Sequence, residues 1–296
     1  MKGIMAPRVT VLIPVHNAAG FIADAVRSVL AEDVSALEVL VVDDGSTDRG
    51  IAELMALKDD RIRLLHQPQA GVVAALNRGL DAARGELVVR MDADDISIPG
   101  RIAAQMRWMD EHPEAVMCGT GYEMFGAINA TVRMPVSDTA CRQRLLLSSC
   151  HCGASIMLRR SVLEDAGLRY DAGLSYAEDY EFITRVAEHG VIGNLPQVGY
   201  RYRIHDTQAS LRHRDALRDV HVQVAASYAR RTRARPLPDE VVRNLLWPDS
   251  RGVFGTAART AWAATRALSR RPGVETARFC SRTLVENVLN AARSAP

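Results

Sequence analysis

Lysine is nearly absent from this chain: of 37 basic residues only Lys2 and Lys58 are lysines, so arginine carries the positive charge. No function attaches to that bias. Other absences exclude more. No run of about 18 uncharged apolar residues occurs, so no helix is expected to span a membrane. Residues 1–8 lack the apolar stretch of a signal peptide, and the expected location is the cytoplasm. Five cysteines, an odd number with no repeated spacing, argue for a reducing compartment rather than a disulfide framework. Cys150-His151-Cys152 is too tightly spaced for a zinc pair and has no second pair to complete it. Aromatic residues make up only 5%, too few to form stacking platforms for nucleic acid. The turn Val15-His16-Asn17-Ala18-Ala19-Gly20 has neither Gly-x-Gly-x-x-Gly nor Gly-x-x-x-x-Gly-Lys-Ser/Thr. A glycine-rich phosphate cradle is therefore missing, which argues against a dinucleotide or P-loop protein.

What is present is an acidic body with a basic tail. Residues 211–296 hold 16 Arg against 7 Asp and Glu, a charge of +9; the formal net charge of +2 then leaves −7 for residues 1–210. At 296 residues the chain has room for one large domain or two unequal ones. The expected division is 1–210 for the body, with halves at about 8–112 and 113–210, and 211–296 for a helical extension. Arg230 to Pro236 reads as a boundary or exposed linker. Over 253–270, Phe254, Ala258, Ala261, Thr265 and Leu268 share one helical face, with Trp262 at its edge. Arg259, Arg266 and Arg270 share another. This basic amphipathic helix suits either an anionic membrane surface or packing on the body.

The body alternates strand and helix from its start. Val9 to Ile13 is a β-branched run ending at Pro14. A helix follows over Phe21 to Leu30, then a strand from Leu37 to Val42. Ser46 or Thr47 is placed to cap a helix through about Leu57. Arg61 to Leu65, a helix over Val72 to Ala83, and the strand Glu86 to Met91 come next. Pro99 suits the first position of a helix reaching Glu111. Further strands read at Ala115 to Cys118, Tyr122 to Phe125, Ala154 to Leu158 and Val198 to Ile204. A helix reads at Arg160 to Ala166, and the segment Leu174 to Glu181 opens another that reaches about His189. The expected fold is α/β: an open, mostly parallel sheet with helices on both faces, plus the C-terminal helices.

In such sheets ligands bind beyond the carboxyl ends of the strands. Three strands present polar groups there: His16 and Asn17, then Asp43 and Asp44, then Asp92, Asp94 and Asp95. The last set places three carboxylates within four positions. They repel unless a cation lies between them, and a hard divalent metal sharing a substrate phosphate fits. The competing explanation is a solvated acidic turn. Farther on, Glu178, Glu181, Arg185 and Glu188 share a polar helical face. Asp179 lies instead with Phe182, Ile183 and Val186, so Asp179 is the acid expected to turn inward.

Six segments in order resemble the GT-A-fold, family 2 glycosyltransferases. They are Val11-Leu12-Ile13-Pro14-Val15-His16-Asn17, Val41-Val42-Asp43-Asp44-Gly45-Ser46-Thr47-Asp48, Gly71 with Ala75-Leu76-Asn77-Arg78-Gly79, Met91-Asp92-Ala93-Asp94-Asp95, Ala177-Glu178-Asp179-Tyr180, and Tyr202-Arg203-Ile204-His205. Together they cover about residues 8–210. The resemblance implies a Rossmann-like sheet and inverting transfer from a nucleoside-diphosphate sugar, with a UDP-sugar favoured and GDP or dTDP open. The implied acceptor is a sugar or lipid-linked hydroxyl in cell-surface polysaccharide or glycolipid synthesis, with peripheral contact to the inner face of the membrane through the basic helices left open. It implies that Asp44 contacts the base, that Pro14, His16 and Asn17 line the base and ribose, and that Gly71 and Asn77 lie nearby. In the Asp92-Ala93-Asp94 segment, Asp94 would hold Mn2+ or Mg2+ and Asp92 the ribose or a metal-bound water. His205 falls near the diphosphate or metal, and Asp179 matches the catalytic base. Asp95 is expected to cap the turn toward Pro99. Two departures stand out. Ala75-Leu76-Asn77 replaces Ala-Arg-Asn, and His151-Cys152-Gly153-Ala154-Ser155 replaces a His-Pro-Ser/Thr segment. A catalytically silent sugar-nucleotide binder and a sugar nucleotidyltransferase are the alternatives.

Overall fold

The structure is a computed structural model that describes residues 6–205 and 214–246, together with Thr260, Ala261, Ala263, Ala264, Ala267, Ala277, Cys280 and Thr283. The chain divides into two compact units. One comprises Met1–Asp138 with His151–Gln208, the other Thr139–Cys150 with Ala209–Pro296.

The first unit is built on a nine-stranded sheet: β1 (Val9–Val15), β2 (Leu37–Asp44), β3 (Ile62–Gln67), β4 (Leu87–Arg90), β5 (Ile96–Ser97), β6 (Ala115–Gly126), β7 (Ala130–Val132), β8 (Met157–Arg159) and β9 (Val191–Ile204). Their order is β3-β2-β1-β4-β8-β6-β9-β5, with β7 on β6. β3, β2, β1 and β4 run parallel, as do β6 and β9; β8 enters antiparallel between β4 and β6. Every residue of β1, β2 and β4 is buried, as expected for strands covered on both faces. Helix α1 (Ile22–Leu30) places Ile22, Ala25, Val26 and Val29 in the core, at i, i+3, i+4 and i+7. α2 (Gly50–Met55), α3 (Val72–Ala82), α4 (Arg101–Glu111), α6 (Arg160–Asp165) and α7 (Glu178–Val186) complete this unit.

Several local expectations are corrected. Neither Ser46 nor Thr47 caps α2; Asp48 Oδ1 accepts the Gly50 N–H at 2.9 Å, next to the helix start. Pro99 lies outside α4, because Gly100 takes the left-handed conformation (φ 84°) at its N-cap and the helix begins at Arg101. The two strands read at 115–118 and 122–125 are one strand, β6, kept continuous by irregularities near Gly121.

The sheet order positions the site. β1, β2 and β4 end along one edge, with Val15 beside Asp43 and Leu12 beside Arg90. β9 returns parallel to β6, and its Tyr200 and Arg201 pair with β5. The last residues of β9 thus run beside the loop that carries Asp92 to Asp95.

In the second unit, α8 (Arg214–Arg231) and α9 (Asp239–Leu246) are described, and α5 (Asp138–Leu145) belongs to it except for Asp138. Leu147, Val222, Leu237, Val241, Val242, Leu245, Ala263, Ala267 and Cys280 form its apolar core. The segment 230–236 is exposed except at Ala234, and it follows the end of α8. In the tail, Thr260, Ala263 and Ala267 are buried while Ala261 is exposed. The buried stripe is therefore turned by about 100° from the expected one. Phe254, Ala258, Arg259, Trp262, Thr265, Arg266, Leu268 and Arg270 lie outside the described residues. Among the described residues, no helix is long and apolar enough to cross a membrane.

Candidate active site

The edge at β1 and β2 is a set of clamps. His16 Nδ1 lies 2.8 Å from the Asp44 carbonyl oxygen. Asn17 sits at φ 53°, and its Oδ1 accepts the N–H groups of Thr47 (2.8 Å) and Asp48 (3.2 Å). Asn17 N donates to Ser46 Oγ at 3.0 Å, so this residue ties the β1 turn to the β2 turn. Asp43 accepts from Ser46 N at 3.0 Å and meets His66 Nδ1 at 2.9 Å. Burial alone would raise its pKa, but Ser46 and His66 outweigh burial and hold it below the ordinary value. Asp44 accepts three donors: Gln67 Nε2 (2.7 Å), Ala70 N (2.8 Å) and Gly71 N (2.8 Å). These fix the turn entering α3, where Gly71 stands open at φ 93°. Pro14 is buried within β1, beyond the last residue that pairs with β4. Asn77 uses both ends of its amide on Tyr170, donating to its carbonyl (2.9 Å) and accepting its N–H (2.8 Å).

The β4 end is different. Arg90, buried at the last position of β4, holds Asp92 Oδ1 at 2.9 Å. The Asp92 N–H donates to the Tyr200 hydroxyl at 3.1 Å. Ala93 is buried, and its neighbours point to different partners. Asp94 Oδ2 meets His205 Nε2 at 2.8 Å, with 28% and 22% of these side chains exposed, so both face a reachable surface. Arg203 donates its Nε–H to the Asp94 carbonyl and its backbone N–H to Asp95 Oδ1, each at 2.7 Å. Asp95 is fully buried and bonded to β9, which corrects its expected role as a cap toward Pro99. Burial, then the charges of Asp92 and Asp94, push the Asp95 carboxyl up to about 8. Asp92 is raised to about 6 by burial, which Arg90 opposes and Asp94 and Asp179 reinforce.

Asp179 and Glu178 open α7. The preceding Ala177 is left-handed at φ 55°, a strained geometry for a residue with a Cβ. A Cβ on Gly153 would fall 2.2 Å from Asp179 Oδ2, so only glycine lets the 153–155 turn lie against that carboxylate. Asp179, Glu178, Asp92 and Tyr170 all act on the charge of Arg90, which remains firmly protonated although burial works against it. Glu178 departs from the expected solvent face. It is half-buried, and burial and then Asp179 raise it to about 7 against the pull of Arg90. Glu181 and Arg185 do pair as the helical spacing expects, at 2.6 Å.

The expected residues thus assemble in two groups. Asp92, Asp94 and His205 come together at the β4 end, and Asp179 acts on the charge of Asp92. His16, Asn17, Asp44 and Gly71 lie at the β1–β2 edge, and Asn77 is engaged by the Tyr170 backbone. The sequence alone assigned no site role to Arg90, Glu178, Tyr200 or Gly153. Arg90 did carry a signal, as the only charge in an otherwise apolar strand.

The donor set at Asp94 and His205 is one carboxylate oxygen and one imidazole nitrogen. Two protein ligands suit a divalent cation that keeps waters and shares diphosphate oxygens. The nitrogen favours Mn2+ over Mg2+, which prefers oxygen.

Residues 10–167 match the family described as Glycosyl transferase family 2. An uncharacterized glycosyltransferase of Haemophilus influenzae is 28% identical over 219 residues, covering 69% of this chain and 68% of that protein. Staphylococcus aureus TarS in complex with UDP-GlcNAc superposes with a TM-score of 0.68 at 16% identity, over 97% of this chain and 91% of that one. The mannosyltransferase PcManGT from Pyrobaculum calidifontis, in complex with GDP-Man and Mn2+, gives 0.60 at 20% identity, over 97% and 86%.

Proposed function

We propose, on the premise that this chain belongs to glycosyl transferase family 2 and is a GT-A-fold glycosyltransferase, that it transfers a sugar with inversion from a nucleoside diphosphate to an acceptor hydroxyl, with a divalent cation. The observation that carries this reading is the β4 end, where the Asp94–His205 pair adjoins the Arg90–Asp92 pair and the latter lies within the field of Asp179.

Asp94 and His205 would hold the cation, and Asp92, fixed by Arg90, would take the ribose or a cation-bound water. When bound, the cation supplies Lewis-acid stabilisation to the diphosphate as it leaves. Asp179 receives the proton of the attacking hydroxyl. A bond forms from that oxygen to the anomeric carbon as the bond to the diphosphate oxygen breaks, and the electron pair leaves with the diphosphate. One base opposite one leaving group gives single displacement and inversion. The β1–β2 edge supports the base and ribose through the loops that Asn17 and Asp44 fix. A nucleoside-diphosphate donor agrees with the UDP-GlcNAc and GDP-Man held by the two structural relatives, and Mn2+ agrees with the second. A UDP-sugar is the favoured donor, a sugar or lipid-linked hydroxyl the favoured acceptor, and cell-surface polysaccharide or glycolipid synthesis the setting. Peripheral contact with the membrane through the basic tail belongs to the same reading.

The test is nucleoside-diphosphate release from a panel of UDP-, GDP- and dTDP-sugars with Mn2+, by the wild type and by Asp179→Asn. The variant is expected to lose about 10²–10⁴-fold in kcat with donor binding unchanged. No turnover of any donor by the wild type would support a silent binder, and an Asn variant with full activity would remove Asp179 from its role.

A further inference from the structure

His205 follows the last residue of β9. The ladder with β6 ends at the pair Gly126 and Ile204, one residue before His205. Its imidazole meets Asp94, and a ring from a distant segment lies against it. The Phe21 ring stacks on the His205 ring, with centroids 5.3 Å apart and planes at 24°. The Arg203 guanidinium lies 5.0 Å from the Phe21 ring centre and 4.5 Å from that of Phe125. Arg201 covers Phe125 at 4.3 Å. Arg203 is anchored in turn, by its bonds to the Asp94 carbonyl and to Asp95. Cation and ring thus alternate from Arg201 to His205. A cation over an aromatic face, and one flat ring on another, attract each other. Both also restrict rotation about the side-chain bonds.

We infer that Phe21 and Arg203 are positioning residues that pre-set the His205 imidazole for the cation at Asp94. Neither touches the reacting atoms. Phe21 fixes the plane of the ring, and Arg203 fixes both Phe21 and the backbone of the acidic loop. This inference rests on reading Asp94 and His205 as the cation pair. Groups that orient a ligating histidine typically change metal affinity by about 10–100-fold when removed.

The experiment measures Mn2+ binding to the full chain, from loss of the electron paramagnetic resonance signal of the free ion, without nucleotide. It compares wild type, Asp94→Ala, Phe21→Leu and Phe21→Tyr. Leucine retains apolar bulk at the start of α1 but cannot stack; tyrosine restores a flat ring. Phe21→Leu is expected to bind Mn2+ roughly tenfold or more weakly, and Phe21→Tyr to recover most of the loss. In turnover, Phe21→Leu needs correspondingly more Mn2+ for half activity, while kcat at saturating Mn2+ stays near the wild-type value. If Asp94→Ala abolishes binding and Phe21→Leu binds as the wild type does, the inference is overturned and the cation pair stands. Equal weakening by leucine and tyrosine also overturns it. If the wild type shows no Asp94-dependent binding, both the inference and the cation pair fall.

Discussion

The ends of β2 and β4 each carry neighbouring carboxylates, and their surroundings differ. At β2, Asp43 and Asp44 meet Ser46, His66, Gln67, Ala70 and Gly71, mostly through backbone or neutral side-chain donors. At β4, Asp92, Asp94 and Asp95 share Arg90, His205 and the Arg203 N–H, with Asp179 and Glu178 nearby. Ser46 and His66 hold Asp43 below the ordinary value despite its burial, whereas burial, and then neighbouring carboxylates, push Asp92 and Asp95 upward. Adjacent acids at a strand end are therefore sorted by their donors, not by their spacing.

Arg90→Met tests this difference most severely. It leaves Asp92 without its buried partner and is expected to lower stability by roughly 3 kcal/mol, read from the urea midpoint. Replacing Arg27, whose pair with Asp24 is exposed, serves as the control and is expected to cost no more than about 0.5 kcal/mol. Equal midpoints for the two variants would erase the contrast.

Asp44→Asn has a smaller expected effect, about 1–2 kcal/mol, because its amide would face one of three donors already in place. It should loosen the 67–71 turn and raise donor KM, leaving kcat near normal. A fall in kcat with unchanged KM would move Asp44 into the group at β4.

The smallest expected change is in pH dependence. Glu178, raised to about 7, is neutral below that pH and anionic above it. The charge it gains beside Arg90 changes the field at the site, so the wild-type rate should change by several-fold through about pH 7. Glu178→Gln should lack that limb. An unchanged limb in the variant would assign it to another group.

Strands β1, β2 and β4 were legible because they are apolar runs buried on both faces, and the α1 and α3 helices because their apolar spacing is regular. β5 and β7 are two and three residues long, too short to carry a pattern, and α5 has no apolar stripe to mark it. In the site, the resemblance pointed to Asp94, His205 and Asp179, and the structure sets the first two side by side. Glu178 was misplaced because a helical wheel assumes a full turn around each residue. Glu178 is the first residue of α7, after a left-handed Ala177, and turns toward Arg90. Asp95 was misread because its partner, Arg203, lies 108 residues away. In the tail, Thr260, Ala263 and Ala267 are buried and Ala261 is exposed, so Ala261 does not share the buried face as its spacing suggested.

The proposed function separates the two ends by having the β4 carboxylates serve the reaction through a cation. It is tested most directly by nucleoside-diphosphate release from a turned-over sugar donor, with Mn2+ and with excess chelator, by wild type and Asp94→Ala. Chelator is expected to stop the wild type, and Asp94→Ala to lose on the order of a thousandfold with Mn2+ present. Full wild-type turnover in excess chelator, or wild-type rates from Asp94→Ala, would contradict it.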